Sequence, residues 1–265
     1  MRASYREYPP CPALQPYVQC YWSREARSAA PGAALNRVLP DGCMDIVFSF
    51  GDRWTGSTGR KMRDGRPGGV AVGTMTLPLL VHPGHREEFF GIRFRPGRAP
   101  AFLGLPASEC TDDAIPLAET WGREGAALEQ RLAEACGPQA RVALMEGELQ
   151  RRLARAAPPD CYVDAVVGLM ARHYGVVSVA RACEYAGITR QHLARRFERH
   201  VGIPPKLFSR VIRFQSLLKR VERANPVSWS SLAADAGYYD QAHLIADFRQ
   251  FTGLTPEAFL QQSRI

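Results

Sequence analysis

Gln191 and Arg195 stand four residues apart in TRQHLARRFERH, residues 189–200. A Gln can bond both polar atoms on an adenine edge and an Arg those on a guanine edge, each for about 1–3 kcal/mol of discrimination. On a helix, residues four apart share a face. Leu193 and Phe197 form an apolar pair at the same spacing, so burying them turns Gln191, Ala194, Arg195 and Glu198 outward. Arg190, Arg196 and Arg199 flank that outward face, where a guanidinium would hold phosphate and fix register without reading sequence.

A second group of reactive residue types lies in PDGCMD, residues 40–45. Asp41, Cys43 and Asp45 could line a ligand pocket or respond to metal or oxidant; a tight turn with a buried thiol explains the same residues. His82 and His85 in HPGH could join Cys43 on a transition metal, since imidazole and thiolate suit zinc or copper. Nothing in the sequence brings the three together, and neither a metal nor a cofactor is expected. The seven cysteines are scattered and odd in number, without a Cys-x-x-Cys pair, so reduced thiols are expected. No Cys/His catalytic motif and no phosphate-cradling glycine loop occurs, which argues against an enzyme.

The element that must position Gln191 and Arg195 is present twice. Residues 187–202, GITRQHLARRFERHVG, align with residues 237–253, GYYDQAHLIADFRQFTG, pairing Leu193 with Leu244, Phe197 with Phe248 and Gly202 with Gly253. The match continues into GIPPKLF over GLTPEAF. Each copy reads as a short helix, a turn at Gly187 or Gly237, and a second helix with Leu and Phe on one face, the make-up of a helix-turn-helix. In the second copy the positions matching Gln191, Ala194, Arg195 and Glu198 hold Ala242, Ile245, Ala246 and Arg249. Polar readers are missing there: Ala and Ile could touch thymine methyls, Gln241 could bond a base or phosphate, and Asp240 and Asp247 oppose a polyanion. Between the copies, residues 205–224 read as one helix, with Leu207, Val211, Phe214, Leu218 and Val221 on an apolar stripe and Lys206, Arg210, Arg213 and Arg220 on a cationic one. Phosphate contact by Arg210 and Arg213 is the expectation.

The rest of the chain has a different texture. Residues 35–97 carry short β-rich runs punctuated by Gly and Pro, and residues 51–69, rich in Gly, Arg and Asp, read as a mobile surface loop. Two amphipathic helices follow, meeting at Gly137 and Pro138, and serve either to pair two chains or to pack on their own sheet. APPD, residues 157–160, reads as a linker. The 265 residues thus divide into a β-rich, barrel-like domain with two following helices (1–156), the linker (157–160) and an all-α domain (161–265), an α+β chain of two domains. Net charge is +8, of which residues 160–265 hold 14 Lys+Arg against 9 Asp+Glu, so cationic density is higher in the repeat-bearing part. No apolar run is long enough for a bilayer, and MRASYREYPP lacks the apolar core of a signal peptide, so no membrane and a cytoplasmic location are expected.

Residues 193–213, LARRFERHVGIPPKLFSRVIR, and 233–259, AADAGYYDQAHLIADFRQFTGLTPEAF, resemble the DNA-binding domain of the AraC/XylS family of bacterial transcription regulators. RVLPDGCMDIVF, residues 37–48, resembles a motif in one group of them. The resemblance implies a sequence-specific regulator that binds double-stranded DNA through successive major grooves, with an N-terminal domain that senses a small effector or mediates homodimer pairing, and RNA polymerase as a further partner. The rivals are a cysteine-dependent DNA repair or methyl-acceptor protein with a fused reader, for which Cys43 would need a low pKa, and an architectural DNA binder without a sensor.

Overall fold

The computed structural model describes residues 4–27, 36–52, 54–58, 61–65, 68–82, 85–222 and 228–263. Ten strands and ten helices follow in order: β1 (Ser4–Tyr8), β2 (Val18–Arg27), β3 (Asn36–Val38), β4 (Asp45–Ser49), β5 (Trp54–Thr58), β6 (Lys61–Gly65), β7 (Gly68–Val72), β8 (Leu79–His82), β9 (Arg86–Phe94), α1 (Pro100–Leu103), a 3-10 turn (Ala107–Glu109), β10 (Ala114–Pro116), α2 (Leu117–Glu134), α3 (Pro138–Leu153), α4 (Cys161–Arg172), α5 (Val179–Ala186), α6 (Arg190–His200), α7 (Pro205–Val221), α8 (Trp229–Asp235), α9 (Gln241–Thr252) and α10 (Pro256–Ser263).

The strands form two antiparallel sheets, one in the order β1-β2-β9-β4-β7-β10 and one in the order β3-β8-β5-β6. Along β4, Ile46 and Phe48 are fully buried, and with Tyr21, Phe90, Ile92 and Phe94 they build a core that Leu117, Trp121, Leu128, Leu132, Met145 and Leu149 close from the helical side. Of the two alternatives read for these helices, packing of α2 and α3 on their own sheet is present. Trp121 donates its indole N–H to the Phe102 carbonyl at 2.9 Å, satisfying the one polar atom it buries.

Two expectations change. The stretch expected to be a loop contains β5 and β6, paired from Trp54↔Gly65 to Thr58↔Lys61; β5 carries strand-favouring Trp54, Thr55 and Thr58, buries Gly56 and Thr58 on one face, and is flanked by β8 on its other edge. The β-rich part also starts earlier than residue 35, since β2 pairs with both β1 and β9. Along β2, Val18 and Cys20 are buried around exposed Gln19, and past the irregularity between Val18 and Cys20 the buried Tyr21 and Ser23 alternate with more exposed Trp22 and Arg24.

A second hydrophobic core joins α4 to α10. Leu193 and Phe197, and their counterparts Leu244 and Phe248, are all fully buried. Asp160, expected in the linker, is the N-cap of α4 and accepts from Tyr162 N and Val163 N, each at 3.0 Å. Among the described residues, no helix is long and apolar enough to cross a membrane.

Candidate nucleic-acid interface

Local sequence sets each unit. Thr189 caps α6 by accepting from His192 N at 3.3 Å, and Asp240 caps α9 by accepting from His243 N at 2.7 Å. Ser178 caps α5 through Arg181 N, whereas Ser228 stands at the start of α8 with its hydroxyl 3.3 Å from Ser230 Oγ. Gly187 and Gly237 turn the chain with φ of +65° and +75°, the left-handed region that glycine enters without Cβ strain.

The bridging helix α7 serves both units. Phe208 meets Phe197 edge-on at 5.8 Å, and Phe214 meets Phe248 edge-on at 5.3 Å, so one helix anchors the reading helix of each copy. Its buried line is Phe208, Val211, Phe214, Leu217 and Val221; Leu207 and Leu218, assigned to that line from sequence, are only half-buried. The line shifts because other elements pack on α7 from further sides.

That packing corrects the expected cationic stripe. Arg210 is turned inward: its Nη2 donates to Asp247 Oδ1 at 2.6 Å and to Gln250 Oε1 at 2.7 Å, and its Nε donates to the same Asp247 oxygen at 3.0 Å. Its guanidinium also lies 5.4 Å from the Phe251 ring centre. Arg213 bonds the Gly175 carbonyl and stands over the Tyr238 ring. Both guanidiniums tie α7 to its neighbours instead of facing outward. Asp247, expected to repel a polyanion, is 0% exposed and paired with Arg210, while Asp240 is engaged as a cap. Arg196 pairs with Asp160 and stacks over Tyr162, joining α6 to the start of α4.

Outward on α6 stand Arg190, Gln191, Arg195, Glu198 and Arg199, with Ala194 half-buried. Outward on α9 stand Gln241, Ala242, Ala246 and Arg249, with Ile245 half-buried. Of the adjacent tyrosines before α9, Tyr238 is 5% exposed and Tyr239 is 93% exposed. The arrangement offers a polar, cationic first reading helix and a mostly apolar second one with a single exposed Arg.

Asp41, Cys43 and Asp45 come together around Arg93. Its guanidinium lies 3.3 Å from Asp41 and 3.3 Å from Asp45. Trp22 donates to Asp45 at 3.2 Å, and Cys43 N donates to Asp41 Oδ1 at 2.9 Å. Burial pushes the Asp45 carboxyl up to about 6 despite Arg93 beside it. These carboxylates shape a turn and are occupied in doing so. Burial, with Asp41 and Asp45 adding to it, pushes the Cys43 thiol well above its ordinary value, the opposite of what a nucleophilic thiol needs. Among the described residues, no group of three or more His, Cys, Asp or Glu side chains is placed so that it could hold a metal ion.

The same turn rests on α7. Gln215 donates to the Pro40 carbonyl at 2.6 Å, and a Cβ at Gly42 would stand 2.8 Å from Phe208. Further contacts bracket α6: Thr74 Oγ1 donates to the Val201 carbonyl and Thr111 Oγ1 to the Gly202 carbonyl, each at 2.6 Å, and Arg98 pairs with Asp164 at 2.9 Å. The β-rich part thus holds the first unit and its bridging helix, a contact that residue types alone do not announce.

Residues 182–262 match a family described as a helix-turn-helix domain, and residues 6–116 match one described as a domain of unknown function (DUF6597). No curated protein matches the chain significantly. Among solved structures, the apo form of a lysine-to-alanine variant of ToxT from Vibrio cholerae is similar at TM-score 0.50 and 11% identity, over 91% of this chain and 96% of that one. At that identity the likeness shows the fold alone. Wild-type ToxT from Vibrio cholerae with bound unsaturated fatty acid is similar at TM-score 0.49 and 9% identity, over 98% and 94% of the two chains. The AraC-like transcriptional activator CuxR is similar at TM-score 0.27 and 15% identity, over 83% and 86%. The C-terminal third of the chain is a helix-turn-helix domain of the AraC type.

Proposed function

We propose that the chain reads its operator mainly through α6, and that its β-rich domain sets operator affinity in response to a small effector. Gln191 and Arg195 read base edges, and Arg190 and Arg199 hold phosphates beside them. On α9, Ala242, Ile245 and Ala246 contact thymine methyls, and Gln241 and Arg249 hold the backbone. Arg196, Arg210 and Arg213 act inside the protein. The observation that carries the sensing half is the turn at residues 40–44 seated on α7, the helix that anchors both reading helices. A shift of that turn moves both readers relative to DNA. A ligand acts on this equilibrium only through a difference in its affinity for the two arrangements.

The test is operator affinity of the full chain with Gln215→Ala and, separately, Gly42→Ala. Each variant should change affinity several-fold by loosening the turn from α7, and should blunt the response to whatever effector acts on the wild type. Affinity and response both equal to wild type in a folded Gly42→Ala chain would contradict the coupling.

A further inference from the structure

The turn on α7 leads directly into β4, and the other end of β4 opens on a cavity of about 390 Å³ between the large sheet and α2 and α3. Five residues of strand, roughly 17 Å, separate the two ends. A volume near the lower end of small-molecule sites suits a compact ligand. Phe50, half-buried and stacked at 6.4 Å on the fully buried Phe48, gives the cavity its aromatic residue.

Charge inside the cavity is unevenly matched. Arg141, 5% exposed, donates to Glu88 at 2.7 Å and stands 3.9 Å over the Phe50 ring. Arg86 pairs with the same Glu88, whose carboxyl is held below its ordinary value: burial pushes it up, but the bonds from Arg141 and Arg86 outweigh that. Glu129 also lines the cavity and meets the Gly69 N–H, with no cation against it among the described residues. Burial pushes its carboxyl above the usual range, as expected for an acid short of a positive partner. Ser49, 5% exposed and lining the same cavity, has a hydroxyl with no hydrogen-bond partner among the described residues.

We infer that this cavity is the effector site and takes a small organic amine, with its ammonium on Glu129 and its apolar body toward Phe50. A carboxylate ligand would have to displace Glu88 from both arginines and sit near Glu129; an ammonium meets a carboxylate that has no cation against it among the described residues, in a cavity that Phe50 also lines. The inference rests on the effector-response reading above and gives that site an address and a ligand class. Occupancy at the Phe48 end of β4 reaches α7 through the turn at the Asp45 end.

Calorimetric titration of the full-length chain with phenethylamine, 2-phenylethanol and 3-phenylpropanoate tests it. Phenethylamine should bind at least about tenfold more tightly than the alcohol, and the carboxylate more weakly than either. Glu129→Gln, checked as folded by its circular dichroism melt, should remove the preference for the amine. An alcohol or carboxylate that binds as tightly as the amine, a folded Glu129→Gln chain with wild-type amine affinity, or no binding by any of the three would overturn the inference. Mobility shift of the untreated wild type on selected DNA separates the readings: DNA bound with no amine binding sinks the cavity assignment alone, whereas no DNA bound sinks the regulator reading.

Discussion

Arg195 and Ala246 occupy equivalent positions in the two copies, and only Arg195 can give a guanine edge two hydrogen bonds. Arg195→Ala should weaken the preferred site by about 1–3 kcal/mol and relax one base pair, read by binding-site selection. Arg249→Ala, by contrast, should weaken all sequences alike and lower the salt slope by about one unit. A different kind of arginine is Arg210, whose removal leaves Asp247 buried without its partner. Arg210→Met should cost about 3–5 kcal/mol in urea unfolding of the full chain, and adding Asp247→Leu should recover much of it. Asp160 adds a pH dependence. Burial alone would raise its carboxyl, but the Val163 N–H, Arg196 and His200 together hold it below its ordinary value. A folded-state pKa below the unfolded one means that the stabilisation is present above about pH 4 and is lost as pH falls through the folded value. Asp160→Ala should therefore cost about 1 kcal/mol near pH 7, and wild type and variant should converge in acid.

At the scale of elements, α7 and the turn at residues 40–44 carry the coupling. Gly42 has φ of +80° and lies against Phe208, so Gly42→Ala combines left-handed strain with a clash and should lower thermal stability as well as altering operator affinity. The helical repeat was legible because Leu193, Phe197, Leu244 and Phe248 repeat at helical spacing and Gly closes each turn, all of it local chemistry. What was not legible depends on long-range partners. A wheel places Arg210 beside an apolar stripe, but only the fold shows that Asp247 lies across from it, 37 residues away. Likewise the sequence groups Asp41, Cys43 and Asp45, yet their pull on Arg93 arises from strand pairing between β4 and β9. The strands in residues 51–69 were hidden by composition, since Gly, Asp and Pro are poor strand formers while sheet pairing overrides that preference.

For the whole molecule, bonds between the two cores include Thr74 and Thr111 on the turn after α6, Gln215 on Pro40 and Arg98 on Asp164, which hold the first unit from one side, and Arg37 on Gln262 of α10. Such a contact lets the β-rich domain bias how the readers meet DNA while leaving the outward faces of α6 and α9 open. The most direct test of the account is selection of bound sites from random duplex DNA by the full-length chain, repeated across a salt series. The account predicts a bipartite site with half-sites about one helical turn apart, strong sequence preference under α6 and weak preference under α9, and affinity that falls steeply with salt. A chain that enriches no sequence, or one whose strongest information lies in the half-site changed by Ala246→Arg and not by Arg195→Ala, would contradict it.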